Sequence, residues 1–130
     1  MSIEVKGFID STRVAGADLS SHQYKFVKLN SSGQVVICAA AADKPYGILQ
    51  DKPASGVGAS VMCNGISKVI MAAGNTQGNV GGTDANGLFA AYVAGTDTTK
   101  YIVAEVVEDA DAANGVGSVS FNCMGVGRGA

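Results

Sequence analysis

The chain has 130 residues and a formal net charge of −2, so it is the size of one domain, and its scattered basic residues provide no cationic face for nucleic acid. Charged residues make up 15% of the chain, against roughly 25% in an average protein, and 18 residues are glycine, a composition that argues against a long-helix protein. Hydrophobic residues reach 47% but aromatic residues only 6%, so we expect an aliphatic core and exclude a disordered chain.

The first 14 residues are predicted to form an extended arm or an edge strand. Residues 1–7 contain no continuous apolar stretch, so neither a signal peptide nor a membrane-spanning helix is predicted, and we expect a soluble protein made in the cytoplasm. Two uses of the segment stay open: it adds a strand to the sheet of a neighbouring subunit, or it forms an edge strand of its own domain. In the first case Ile3, Val5 and Phe8 are the candidate partner-binding residues.

Strand patterns dominate the rest of the chain. A hairpin is predicted where residues 24–29 and 34–38 flank a turn from Asn30 to Gly33, because an Asx side chain can bond its own backbone and glycine adopts left-handed conformations. The further strand candidates are residues 46–50, 60–63, 66–72, 88–94, 101–107 and 116–122. Helix is limited to at most one short turn near residues 19–23, after a capping Asp18. The predicted fold class is all-β, a small compact β-barrel or sandwich.

The order of these segments repeats once along the chain. Residues 15–63 and residues 73–123 each contain an Ala-Gly segment, an Asx turn that ends in glycine, an apolar strand and a Gly-Val-Gly segment. Either the chain is duplicated or its Gly- and Val-rich composition imitates duplication by chance. A duplication predicts two pseudo-repeated β units with one shared core in a single domain, residues 15–123, because neither half has enough strands to cover its own apolar face. Residues 124–130 are expected to be a frayed, glycine-rich tail.

No motif predicts catalysis or a cofactor. His22, the one histidine, stands in a polar stretch without ligand spacing and is expected on the surface. No serine has the Gly-x-Ser-x-Gly context of a nucleophile, and the Gly-Val-Gly segments lack the third glycine of a dinucleotide-binding motif. Cys38, Cys63 and Cys123 are odd in number and without Cys-x-x-Cys spacing, so we expect buried, reduced thiols. We therefore expect no enzyme activity, no catalytic residue and no cofactor.

The densest acidic cluster comprises Glu105, Glu108, Asp109 and Asp111. Carboxylates are suitable ligands for a hard cation, but this spacing matches no calcium-binding loop. A solvated turn is the favoured interpretation, so no metal site is predicted.

Six short segments of the sequence are informative when they are taken together and in their order along the chain. They are residues 15–19 (AGADL), residues 24–29 with the turn 30–33, residues 44–53 (KPYGILQDKP), residues 56–62 (GVGASVM), residues 65–69 (GISKV) and residues 83–87 (TDANG). In this combination and order, which covers most of the chain, the sequence resembles the small capsid cement, or head decoration, proteins of tailed bacteriophages.

This resemblance implies a small β-rich protein, commonly a homotrimer, that binds the major capsid protein on the outer surface of the virion. The implied function is stabilisation of the expanded head, without a nucleic acid, membrane or small-molecule substrate. Two alternatives stay open. One is a structural subunit of a phage tail or fibre, in which related β modules also occur, and the other is a glycan- or receptor-binding β module, which needs exposed aromatic side chains.

Overall fold

A computed structural model describes residues 4–110 and 112–124, which form two antiparallel β-sheets packed together as a compact sandwich. The strands are β1 (Val5–Lys6), β2 (Ile9–Val14), β3 (Phe26–Leu29), β4 (Val35–Ile37), β5 (Gly47–Leu49), β6 (Gly58–Met62), β7 (Asn64–Ile70), β8 (Val80–Thr83), β9 (Phe89–Ala91), β10 (Ala104–Glu108) and β11 (Val116–Asn122). The predicted all-β fold class is confirmed. Helices are absent from the described residues, so none there is long and apolar enough to span a membrane.

The two halves of the chain build their sheets in the same way. The first repeat, β2 to β6, has the strand order β2-β6-β5-β3-β4, and the second repeat, β7 to β11, has the order β7-β11-β10-β8-β9. Strand β1 is an addition to this plan and pairs with β7 at the edge of the second sheet. The prediction of two pseudo-repeated β units is therefore confirmed. In the structure the repeated strand order starts at Ile9 in β2 and at Asn64 in β7. The sequence segments that indicated the repeat start later, at residues 15 and 73.

The equivalence of the repeats extends to the register of their strands. A row of Cα partners crosses β3, β5 and β6 in the first sheet, and a matching row crosses β8, β10 and β11 in the second. The two rows are Phe26, Ile48 and Met62, and Val80, Glu105 and Ser120. The next strand adds Ile9 to the first row and Ile66 to the second. Because the pairing is the same throughout, residues at matching places in the two rows occupy equivalent positions.

A single bridge joins the first and last strands of each repeat. Ala15, which follows β2, pairs with Val35 of β4, and Met71, which follows β7, pairs with Phe89 of β9. Each sheet is therefore curled at this end, in the manner of a small barrel. The bridges also occupy backbone groups that an open sheet edge would leave unpaired.

The two predicted Asx turns make the same hydrogen bonds. Asn30 Oδ1 accepts the backbone amides two and four residues later at 3.0 and 2.9 Å, and Asp84 Oδ1 accepts the corresponding amides at 2.8 and 2.9 Å. Gly33 and Gly87 close these turns with φ angles of 73° and 77°, which a residue with a Cβ adopts only at a cost. The turn chemistry predicted from the sequence is confirmed in both repeats.

Strand β8 is absent from the sequence prediction because two of its four residues are glycine, which is poor in strands. A Cβ on Gly81 would collide with the carbonyl oxygen of Ala90, and a Cβ on Gly82 would collide with that of Tyr101. Neighbouring backbone thus passes very close to both residues. Glycine here is a requirement of the packing and does not interrupt the strand.

The centre of the first sheet, in β3, β5 and β6, is buried on both faces, whereas the second sheet is buried on one. Phe26, Ile48 and Met62 face the second sheet and share a core cluster with its buried residues, among them Val106 and Val119. The opposite face of the first sheet contributes to a separate cluster, which comprises Ala15, Leu19, Val27, Val35, Leu49, Ala59, Val61 and Cys63. Leu19 belongs to residues 19–23, for which the sequence predicts at most one helical turn. The chain makes a tight turn there, in which the His22 amide donates to the Leu19 carbonyl at 3.0 Å.

Candidate interaction surface

Two of the three predicted partner-binding residues are exposed apolar side chains at the edge of the second sheet. Val5 of β1 is 59% exposed, and Phe8, in the link between β1 and β2, is 50% exposed. Ile3 lies outside the described residues. Residues 5 and 6 pair with Ile66 and Gly65 of β7, and no described strand lies on the other side of β1. Within one chain this segment is therefore an edge strand.

The chain passes close to β7 between β1 and β2. The amide of Phe8 donates to Asn64 Oδ1 at 2.7 Å. A Cβ on Gly65, which has a φ angle of 120°, would lie 2.6 Å from the carbonyl oxygen of Val5, and a Cβ on Gly7 would collide with Asn64. The two glycines therefore allow residues 5–8 to lie directly against β7, which fixes the positions of Val5 and Phe8.

Met124 is an exposed apolar residue that the sequence analysis missed. It is 59% exposed, and its Sδ lies 3.5 Å from Asn64 Nδ2. Since Asn64 contacts both Phe8 and Met124, we name Val5, Phe8 and Met124 the terminal patch. The sequence places Met124 in the predicted frayed tail, residues 124–130, which is rich in glycine. The one signal of its position is that it follows the last predicted strand by two residues.

An exposed row extends from the terminal patch across the outer face of the second sheet. Its members are Cα partners on β1, β7, β11, β10 and β8, namely Val5, Ile66, Ser120, Glu105 and Val80. Ile66 is half-buried and the other four are exposed. We name these residues the uncovered row. With a single charged member and apolar residues at both ends, it is a surface suited to contact with another protein.

A buried carboxylate stabilises the start of β2 in the first sheet. Oδ1 of Asp10 accepts the amide and the hydroxyl of Thr12 at 2.8 and 2.5 Å, the hydroxyl of Tyr46 donates to Oδ2, and Arg13 Nε lies 3.4 Å from Oδ2. The hydrogen bonds from Thr12 and Tyr46 lower the pKa of Asp10 to about 2, and the Asp10 carboxylate raises the pKa of Tyr46 to about 12. This network holds the β-bulge between Asp10 and Arg13.

The other titratable candidates do not converge on one site. His22 is half-buried, and burial lowers its pKa. Glu105 and Glu108 lie on β10, Asp109 follows that strand, and Asp111 lies outside the described residues. In the described parts of the chain, no three histidine, cysteine or acidic residues are grouped as the ligands of a metal ion would be.

The three cysteines are free and buried, as the sequence predicts. Burial raises the pKa of Cys38 to about 12 and also raises the pKa values of Cys63 and Cys123. The thiols are therefore protonated at neutral pH and pack as small apolar side chains.

Compared with protein-family models and with curated protein sequences, the chain matches none.

Proposed function

We propose that the protein is a structural virion protein that binds the exterior of a tailed-phage capsid lattice and stabilises the expanded head. The ordered series of six segments that resembles the cement proteins is the observation that carries this proposal. The proposed partner is the major capsid protein, the proposed binding unit is a homotrimer, and the proposed location is the outer surface of the virion. This role requires no catalytic residue, cofactor, nucleic acid or membrane.

The segments that carry the resemblance supply many of the buried residues of the first sheet. Residues 44–53 contain β5, whose three residues are all buried, and residues 56–62 contain β6 with Val61 and Met62 in the core. The resemblance therefore concerns the parts that build the fold. The proposed capsid contact lies instead among the exposed residues of the second sheet.

The terminal patch and the uncovered row are the proposed capsid contact. Val5, Phe8 and Met124 are each at least half exposed and lie together at one corner of the second sheet. Burying the exposed half of such side chains contributes about 1 kcal/mol each. Large apolar side chains at the centre of an interface commonly dominate its binding energy.

A protein that binds the assembled lattice, and not the separated subunits, stabilises the lattice by mass action. In a trimer, three equal contacts act together, because formation of the first raises the effective concentration of the others. A small patch on each protomer is then sufficient for firm attachment.

Purified protein mixed with undecorated, expanded heads of the phage that carries it tests this function. We expect cosedimentation of the protein with the heads and a higher temperature of head disruption. Failure to associate would contradict the proposal. Copurification with tails in place of heads would favour the tail or fibre subunit, and binding to a glycan array without head binding would favour the receptor-binding module.

Val5→Ser combined with Phe8→Ser tests the proposed contact surface. We expect the double variant to bind heads more than tenfold more weakly, because two apolar contacts of about 1 kcal/mol each are lost. Val93→Ser is the matched control, since Val93 is 63% exposed and follows β9 at the other edge of the second sheet. Binding by the double variant that equals binding by this control would reject the assigned surface but not the function.

A further inference from the structure

A cleft of about 370 Å³ lies at the seam between the two repeats. The first repeat lines it with His22 and Lys25, which precede β3, and with residues at the end of β4. The second repeat lines it with Asn86, in the turn between β8 and β9, and with Asn114, in the loop before β11. We name this the seam cleft. Its walls are brought together only when the two repeats pack.

Lys25 places a positive charge in the seam cleft. Its Nζ lies 3.2 Å from Nδ1 of His22. An ammonium group can only donate, so Nδ1 is the acceptor and the imidazole proton resides on Nε2, which is a second donor. Burial, and then the charge of Lys25, lower the pKa of His22, so the ring is neutral at pH 7 and this arrangement persists there.

No carboxylate neutralises Lys25 within the described parts of the chain. The ion pairs found there involve Arg13, Lys28, Lys68 and Lys100, and no acidic residue lines the seam cleft. Asp84, beside the cleft, accepts two backbone amides of its own turn. Asp18 accepts the amide of Ser20 at 3.1 Å and acts on His22 only as a neighbouring charge. The seam cleft therefore has an excess of positive charge.

Two side-chain amides and two apolar side chains also line the seam cleft. Asn86 and Asn114 are exposed at the cleft, and within residues 4–110 and 112–124 their side-chain amides have no hydrogen-bond partner. Asn114 is held with a φ angle of 61°, and its backbone amide donates to the carbonyl of Met71 at 2.8 Å. Ile37 and Leu88 provide apolar walls. Donors around a cation, beside aliphatic side chains, match a carboxylate that is carried on a hydrocarbon stem.

We propose that the seam cleft binds a carboxylate group on a short aliphatic chain, with Lys25 as its charged partner. A free dicarboxylate and the glutamate side chain of a partner protein share this chemistry. The proposal concerns a different surface from the terminal patch and does not depend on the capsid function.

Titration of the full-length, ¹⁵N-labelled protein with glutarate, followed by two-dimensional NMR, tests the site. Sodium chloride at the same ionic strength is the control for general salt effects. We expect saturable shifts at the amides that line the seam cleft, with a dissociation constant on the order of 1 mM. Lys25→Gln should weaken binding at least tenfold, and Lys25→Arg should retain most of it because the charge and the donors remain. Lys52→Gln is the matched control, since Lys52 is exposed and outside the cleft, and it should bind like the wild type.

A second titration, with N-acetylglutamate amide, distinguishes the two sources of the carboxylate. Tighter binding than glutarate indicates a glutamate side chain of a partner protein, and weaker binding indicates a free dicarboxylate. Shifts that do not saturate, or that are the same in Lys25→Gln as in the wild type, would overturn the proposal. The spectrum of each variant also reports whether it is folded, so loss of binding is separated from loss of structure.

Discussion

The two repeats share a strand order and a register, but one face of the sheet is covered in the first repeat and the equivalent face is exposed in the second. The row on this face of the first repeat is fully buried against the second sheet and consists of Phe26, Ile48 and Met62. The equivalent row of the second repeat is exposed and consists of Val80, Glu105 and Ser120. Within the described chain, only the first repeat has this face covered. The copy that meets water carries a carboxylate and a hydroxyl where the covered copy carries apolar side chains.

This difference also shows where the molecule has room for a partner. The face that serves as an internal interface in the first repeat is free in the second, and β1 extends it by one strand. Val5 belongs to both the uncovered row and the terminal patch, and its Cα partner Ile66 is the next apolar residue of the row. The duplication therefore explains both the core and the location of the proposed contact.

Ile48→Glu should have the largest effect. Ile48 lies in the buried row of the first repeat, and the equivalent residue in the exposed row of the second repeat is Glu105. We expect a loss of roughly 4 kcal/mol or more in the free energy of unfolding, since the carboxylate would be buried without a partner. Urea denaturation measures this loss. If the variant does not fold, Ile48→Ala should still lose roughly 2–5 kcal/mol. The reverse change, Glu105→Ile, should alter the free energy of unfolding by no more than about 0.5 kcal/mol. Similar losses for Ile48→Glu and Glu105→Ile would contradict the assigned burial of the two rows.

Gly87→Ala and Gly33→Ala test the same turn in two surroundings. Both glycines have positive φ angles, so each substitution should cost about 1 kcal/mol in backbone strain. A Cβ on Gly87 would also lie 2.6 Å from Cδ1 of Ile37 and 3.0 Å from the carbonyl oxygen of Phe26, across the seam between the repeats. At Gly33 the close atom, 2.9 Å away, is the end of the flexible Arg13 side chain. We expect Gly87→Ala to lose about 3 kcal/mol in total, measured by urea denaturation, and equal losses would show that the seam is not tightly packed there.

Asp10→Asn should have a smaller, pH-dependent effect. The equivalent residue of the second repeat is Ser67, which is buried and neutral, so only the first repeat relies on a carboxylate at this position. The folded-state pKa of Asp10, about 2, is below the ordinary value of 3.8, so its stabilising contribution is present above about pH 4 and disappears as the pH falls towards 2. We expect Asp10→Asn to lose roughly 2 kcal/mol at pH 7 and very little at pH 2. Free energies of unfolding at both pH values check this, and a loss that does not change with pH would exclude the carboxylate as its cause.

The sequence predicted the elements whose information is local. Alternating β-branched residues indicated most strands, and the Asx-to-glycine spacing indicated both turns, because strand and turn geometry depend on a few successive residues. Val5 and Phe8 could be proposed as a contact for the same reason, as part of an alternating terminal segment. Strand β8 was missed because Gly81 and Gly82 are required by the close approach of the backbone at Ala90 and Tyr101, which come later in the chain.

The sequence by itself determined that the chain is an all-β protein, and the order of its segments indicated two similar units. Its low aromatic content led us to expect an aliphatic core, whereas the core also contains Phe26, Phe89 and Phe121. Only the tertiary structure decided which copy of the repeated face is covered, that Met124 joins Phe8 around Asn64, and that Lys25 and Asn114 line one cleft. The physical reason is that strand pairing and turns follow from short-range backbone geometry, whereas burial is decided by residues far apart in the chain that meet only when the repeats pack.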